Sequence, residues 1–256
     1  MGSFMRFTRA SGILLHPTSL PGPHGSGDLG AEARRFVDWL VANGQSLWQI
    51  LPLAGIGPGD SPYMSNSAFA GNVLLIDLNE LQEQGWLPDP LVPDPEFSPG
   101  AVNYWSVVPW RMARLQEAAT RFFHCAEPQA RKDYEDFCAE HASWLDDYAL
   151  FMALAEHYHW KDWCDWNAPL ATRQLEALEK ARAKHAKRIN FWKFCQACFF
   201  RQWRSLKNYA NERGVKIIGD APIFIAYQSA EVWARPDLFE LDANGRPIVV
   251  AGVPPD

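Results

Sequence analysis

The chain has 256 residues with a net charge of -6 and a pI near 5.7, and 48% of its residues are hydrophobic. That length and apolar content support one large α/β domain or two small ones and exclude wholesale disorder. A mildly acidic chain without a Lys/Arg block is no partner for nucleic acid or an anionic membrane, and no stretch reaches the length of a membrane span.

The N-terminus, Met1–Ala10, lacks the apolar core of a signal peptide. Five cysteines, an odd number without a framework spacing, point to a reducing, cytoplasmic setting. Twelve tryptophans, seven tyrosines and fifteen phenylalanines are an aromatic excess. Most of these rings fill a core, but aromatic faces also stack on sugar rings.

In chain order, Gly12–Leu15 reads as a first strand, closed by His16-Pro17. A Pro/Gly-rich loop follows. Ala33, Phe36, Val37 and Leu40 then mark one face of an amphipathic helix, with Asn43-Gly44 as its stop. Ser46–Leu53 is nearly all apolar and is predicted as a strand buried on both faces. Ala54–Asn72, rich in Gly, Pro, Ser and Asn, is a long loop of the kind that carries function. Val73–Leu78 is a further predicted strand, and Gln84–Gly100 a connector.

From about Trp105 to Arg188 charged residues and alanines alternate with aromatics in helical spacing. Residues 86–188 are therefore expected to form an inserted, mostly helical subdomain between 1–85 and 189–256. Ile189–Arg213 reads as a long helix, with Trp192, Cys195, Phe199, Trp203, Leu206 and Ala210 in one stripe. Gly214 ends it, Val215–Ile218 starts a strand, and Asp220 stands at that strand's tip. Helix, glycine, strand and tip carboxylate form the unit of a parallel α/β fold. In (β/α)8 barrels, that edge carries the functional residues.

Several motifs invite chemical readings. Gly25–Gly30 matches G-x-G-x-x-G, but it lies well past the strand ending at Leu15 and has no acidic ribose partner near position 50. A loop capping the next helix is the plainer reading. Cys195-x-x-Cys198 stands without a second ligand pair and reads as core. His157 and His159, two apart, do not share a helix face. Asp60-Ser61-Pro62-Tyr63 sets a carboxylate, a hydroxyl and an aromatic ring together in the long loop. A sugar site needs those groups, and a simple Asp-Ser-Pro turn would produce them as well. Asp220 could bind a substrate hydroxyl, orient another group or cap a loop, and His16 holds a similar place after the first strand.

Four segments together resemble the amylomaltase family of 4-α-glucanotransferases, glycoside hydrolase family 77. They are Ser11–Pro21 (SGILLHPTSLP), Trp48–Leu53 (WQILPL), Asp60–Tyr63 (DSPY), and Gly219–Phe224 (GDAPIF) with Ser229–Trp233 (SAEVW). Gly252–Asp256 resembles the start of that family's active-site loop.

The resemblance implies an α/β fold: the N-terminal part of a (β/α)8 TIM barrel with an inserted helical subdomain. It implies transfer of α-1,4-glucan segments between maltooligosaccharides by a retaining double displacement, without cofactor or metal. It implies Tyr63 as a sugar contact at the cleavage subsite, Asp60 and Ser61 as shapers of that pocket, and Asp220 as a supporting carboxylate that is not the nucleophile. The family's nucleophile, in an Arg-x-Asp-His-type motif, and its acid/base glutamate have no counterpart here and are expected beyond Asp256. The expectation is a truncated chain, inactive alone, with a catalytically inactive glucan-binding protein as the alternative.

Overall fold

A computed structural model describes residues 9–249 except Pro95, Pro99 and Phe224. The Gly252–Asp256 segment lies outside the described residues. Three short strands, β1 (Gly12–Leu14), β2 (Leu47–Gln49) and β3 (Lys216–Ile218), form a parallel sheet in that order. Leu14 pairs with Gln49 and Gln49 with Ile218 in one row, and Ile13, Trp48 and Ile217 form the row beside it.

α1 (Ala31–Ala42) crosses from β1 to β2. Of its predicted face, Ala33, Val37 and Leu40 are fully buried and Phe36 is half-buried, and Asn43 ends the helix before Gly44 at φ +68°. α2 (Leu78–Glu83), α3 (Tyr104–Cys125), α4 (Pro128–Glu140), α5 (Ala142–His157), α6 (Ala168–Ala171) and α7 (Leu175–Lys184) follow. The predicted long helix is α8 (Ala186–Glu212), and Gly214 at φ +78° turns it into β3. α9 (Ala230–Ala234) comes last, with Ser229 Oγ accepting from the Val232 amide.

α8 is the central helix: α1, α3, α4, α5 and β3 all pack on it, and one continuous cluster of buried side chains joins both halves of the chain. The predicted stripe along α8 is buried except for the half-buried Trp203. Cys195 and Cys198 lie fully inside it, and burial pushes the Cys198 thiol up to about 12. They behave as small apolar core groups.

Two strand predictions need correction. Val73–Leu78 is not a strand. Val73–Leu75 is a 3-10 turn whose first amide row is capped by Asn72, and Asp77 caps α2 through the Asn79 amide at 2.9 Å. A short buried apolar run has the same appearance as strand or turn, and here two capping side chains decide. Ser46–Leu53 pairs only over Leu47–Gln49, and it is not buried on both faces. Trp48 is sealed beneath α1, edge-on to Phe36 at 5.1 Å, while the Leu14–Gln49–Ile218 row is open, with Leu14 56% and Ile218 42% exposed.

The long loop after β2 is fastened at its base. The Asn72 amide donates to Leu53 O at 2.7 Å, and Ala54 and Gly71 bridge antiparallel. Buried Gln196 of α8 takes the Gly71 amide at 2.8 Å and returns a bond to Gly71 O at 3.0 Å. Gln202 makes the same two-point grip on Asp77. Gly71 lies against the Phe199 ring so closely that an added Cβ would sit 2.0 Å from Phe199 Cε1. Gly71→Ala is therefore expected to destabilise the fold by about 1–3 kcal/mol through overpacking. Urea unfolding reads this directly, and a loss below about 0.5 kcal/mol would show that the loop base yields to the methyl.

Candidate functional site

The tips of β2 and β3 bring the sequence-predicted residues to one place. Asp220 follows β3 two residues beyond the Leu14–Gln49–Ile218 row, and His16 stands at the same level after β1. Tyr63 rides on the fastened loop. Its hydroxyl donates to Asp220 Oδ2 at 2.6 Å, a span of 157 positions. The phenol is 39% exposed, and its pKa is raised, first by this bond and then by desolvation. The ring is thus oriented at its hydroxyl end with a face open to solvent.

Ser61 lies below Tyr63: its Oγ accepts from the Tyr63 amide at 3.3 Å and its carbonyl accepts from the Gly57 amide at 3.0 Å. Gly59 and Asp60, at φ +71° and +58°, make the tight turn that exposes the Asp60 carboxylate. Two residues that spacing did not single out join them. Tyr104, the first residue of α3, is half-buried between Thr18 and Asp60. Burial raises its pKa, its bond with Thr18 opposes that, and the Asp60 charge adds to the rise. No periodic signal marks either residue, because both lie at loop-to-helix junctions.

The far side of the loop is held by the segment around α9. The Ala230 amide donates to Asn66 O at 2.8 Å, Asn66 Nδ2 to Gln228 O at 2.8 Å, and Ser67 Oγ to Glu231 Oε1 at 2.6 Å. Burial raises the Glu231 pKa, and the Ser67 hydroxyl opposes the rise. These bonds explain why the SAEVW segment matters to a loop far away in sequence: it sets where Tyr63 stands.

The Gly25–Gly30 loop caps α1 and offers no seat for a pyrophosphate. Asp28 Oδ1 takes the Gly30 amide at 3.1 Å, and a Cβ at Gly30 would meet the Asp77 carboxylate at 2.5 Å. Two carboxylates already stand where a phosphate would need donors. Asp28 is held by Arg111 of α3, which is fully buried and donates to His24 O at 3.2 Å and to Ile76 O, with Asp28 Oδ2 at 3.5 Å.

Burial raises the Asp28 pKa to about 6 against the pull of Arg111, and lowers His16 and His24 to about 4, with Arg111 adding to the effect on His24. The signs oppose. Each histidine takes up its proton more readily when unfolded, so its contribution is full above pH 6.5 and is lost as pH falls toward 4. Asp28 takes up its proton more readily when folded, so its penalty is full above pH 6 and fades toward 3.8. Of the groups here that are shifted furthest, two histidines stand against one aspartate, which leaves a net loss on acidification. Stability is expected to fall between pH 6 and 4 with a slope on the order of 1.4 kcal/mol per pH unit at most. Urea midpoints across that range check it, and a rise toward pH 4 would contradict it.

Among the described residues, the only three His, Cys, Asp or Glu side chains close enough to share an ion are Asp162, Cys164 and Asp165. Arg246 lies 2.7 Å from Asp165 and 3.8 Å from Asp162, so a side-chain cation already compensates them. No helix among the described residues is long and apolar enough to cross a membrane.

The sequence matches the 4-alpha-glucanotransferase family, glycoside hydrolase family 77, over residues 15–256. It is 50% identical to a 4-alpha-glucanotransferase of Thermus thermophilus over 98% of this chain and 50% of the relative. It is 41% identical to the chloroplastic/amyloplastic 4-alpha-glucanotransferase of Solanum tuberosum over 97% of this chain and 44% of the relative. The fold superposes on the amylomaltase from Streptococcus agalactiae, solved in complex with acarbose, with a TM-score of 0.92 and 42% identity over 97% of this chain and 50% of that one. The chain thus spans about half the length of the relatives it matches. With its three-stranded parallel sheet, its helices and these matches across nearly all its residues, the chain belongs to the 4-alpha-glucanotransferase family, glycoside hydrolase family 77.

Proposed function

We propose that this chain is part of a 4-α-glucanotransferase that moves α-1,4-glucan segments between maltooligosaccharides, and that it supplies one wall of the substrate site. The observation that carries this is the Tyr63–Asp220 pair at the strand tips, 2.6 Å apart. An oriented phenol with an open face, beside carboxylate and hydroxyl acceptors, suits a sugar ring, which has apolar faces and a rim of hydroxyls. In this reading Tyr63 stacks on a sugar, Asp60 and Ser61 shape the pocket, and Asp220 holds Tyr63 while accepting from sugar hydroxyls. His16, neutral at pH 7 because burial lowers its pKa, lies at the same edge as a further polar contact.

Retaining transfer needs a nucleophile and an acid/base carboxylate about 5–5.5 Å apart. Asp220 is engaged by Tyr63, and we place both catalytic carboxylates outside residues 9–249. The open Leu14–Gln49–Ile218 row supports a sheet that continues into a closed (β/α)8 barrel, with residues 86–188 as its helical insertion. All five cysteines are unpaired, which supports a cytoplasmic setting.

The test is to incubate the purified 256-residue chain, and a version extended to the length of its relatives, with maltotriose. Glucose and longer maltooligosaccharides from the extended chain alone are the expected result. Products from the 256-residue chain would place the catalytic carboxylates within it. No products from either, with both folded, would remove glucan transfer as the function.

A further inference from the structure

α4 encloses none of its 13 residues, although Ala130, Tyr134 and Phe137 give it an apolar side that is half-buried. A helix of that length is marginal alone in water and is held by the burial of such a side. The body of the chain covers this one only in part.

A groove of about 800 Å³ follows the seam where α4 packs on α8. It is long rather than round. Its α8 wall runs from Phe194 to Asn208 with the spacing of one helix face, about 20 Å at about 1.5 Å per residue. Its α4 wall runs from Gln129 to Glu140. The half-buried rings of Tyr134, Phe137 and Phe200 give it an aromatic floor, Phe137 and Phe200 having centroids 5.7 Å apart. Trp86, Phe122 and Phe194, nearly sealed, complete that floor.

Charge narrows the choice of occupant. The walls carry five carboxylates, on Glu80, Glu127, Asp133, Asp136 and Glu140, against the guanidiniums of Arg201 and Arg204. Arg201 is engaged by Glu80 at 2.9 Å, and Asp136 by Lys132 at 2.5 Å. Asp133 accepts from Gln129 Nε2 at 2.7 Å. Among the described residues, no cation stands within salt-bridge distance of Glu127, Asp133 or Glu140, and all three are exposed. Arg204 is the lone cation of the walls outside an ion pair. An aromatic floor under a negative rim repels anions and attracts a partner that is apolar on one side and cationic on its flanks. A neutral glucan makes no use of that charge.

We propose that this groove docks an amphipathic helix of about four turns from a protein partner. Its apolar side lies on Tyr134, Phe137 and Phe200, and its lysines or arginines lie beside Glu127, Asp133 and Glu140. The groove shares no residue with the Tyr63–Asp220 site, so the proposal is independent of the glucan reading.

The experiment is fluorescence anisotropy with a fluorescein-labelled peptide of about fifteen residues, leucine on one helix face and lysine elsewhere. It is titrated at near-physiological ionic strength with the 256-residue chain and with the version extended to the length of its relatives. Saturable binding to both is expected. Asp133→Lys with Glu140→Lys is expected to weaken it about tenfold. Glu179→Lys with Glu212→Lys makes the same change of net charge outside the groove and is expected to alter binding by about twofold at most. A scrambled peptide of the same composition, and one with glutamate for lysine, are each expected to bind at least about tenfold more weakly. Circular dichroism establishes that each variant is folded. Should the first pair fail to fold, Glu140→Lys alone and the two control peptides still decide. Absence of binding, equal weakening by both pairs of substitutions, equal binding of the scrambled peptide, or loss of binding in the extended chain, whose remainder would then cover the groove, would each overturn the proposal.

Discussion

Replacing Arg111 by methionine is expected to destabilise the fold by about 3–5 kcal/mol at pH 8, the range for breaking a buried ion pair by removing one partner. Arg111 has no exposed surface and reaches His24 O, Ile76 O and Asp28 from α3. It therefore ties three segments: the 24–28 loop, the turn before α2 and the helix itself. Methionine fills comparable space but leaves the 7%-exposed Asp28 carboxylate and two carbonyls without their donor. For a chain of this size the loss corresponds to a melting temperature lower by about 10 °C.

The pH dependence separates loss of charge compensation from loss of packing. Asp28 already has its pKa raised to about 6 by burial while Arg111 pulls it down. Without the guanidinium it rises further, so the folded variant takes up a proton as pH falls and is relieved of the buried charge. The deficit relative to the unaltered chain is expected to be smaller at pH 5 than at pH 8. Adding Asp28→Asn to Arg111→Met is expected to recover part of it at pH 8, as coupled neighbours do. Urea unfolding at the two pH values is the measurement. A deficit that is equal at both would reduce Arg111 to a space-filling role.

What could be read from the sequence depended on the range of the signal. α1 and α8 were legible because both show 3.6-residue periodicity and end in Asn43-Gly44 and Gly214, whose backbone conformations the stop requires. Val73–Leu78 was misread because its deciding groups, Asn72 and Asp77, flank it, and the apolar letters between them are the same in strand and turn. Gln196 and Gln202 left no trace, since a glutamine on a helix reads as solvated. Only the folded chain shows each gripping a loop backbone 125 positions away. The individual members of the Tyr63–Asp220 pair stood out through resemblance, but their bond could not be read from spacing. It depends on β2 and β3 lying side by side, and that neighbourhood follows from the crossover through α8.

That bond also sets the second large expected effect. In a chain extended to carry the proposed catalytic carboxylates, Tyr63→Ala is expected to lower kcat/KM for maltotriose disproportionation by about a hundredfold, and Tyr63→Phe by about tenfold at most. The phenylalanine variant keeps the ring and loses the hydroxyl's bond to Asp220, worth about 0.5–1.5 kcal/mol. The alanine variant also loses the stacking face, worth about 0.5–1.5 kcal/mol more, and the apolar contact around it. Asp220→Asn separates orientation from charge, because an amide oxygen still accepts from the Tyr63 hydroxyl. If Asp220 only holds Tyr63, the asparagine variant retains most activity; if it also receives a sugar hydroxyl as a charged acceptor, it falls well below Tyr63→Phe. The division between constants is informative as well. A platform that grips ground state and transition state equally raises KM alone, whereas a ring that orients the sugar only at the moment of cleavage lowers kcat. Tyr63→Ala with both constants within twofold of the unaltered enzyme would remove the strand-tip pair from the substrate site, however well its geometry suits a sugar.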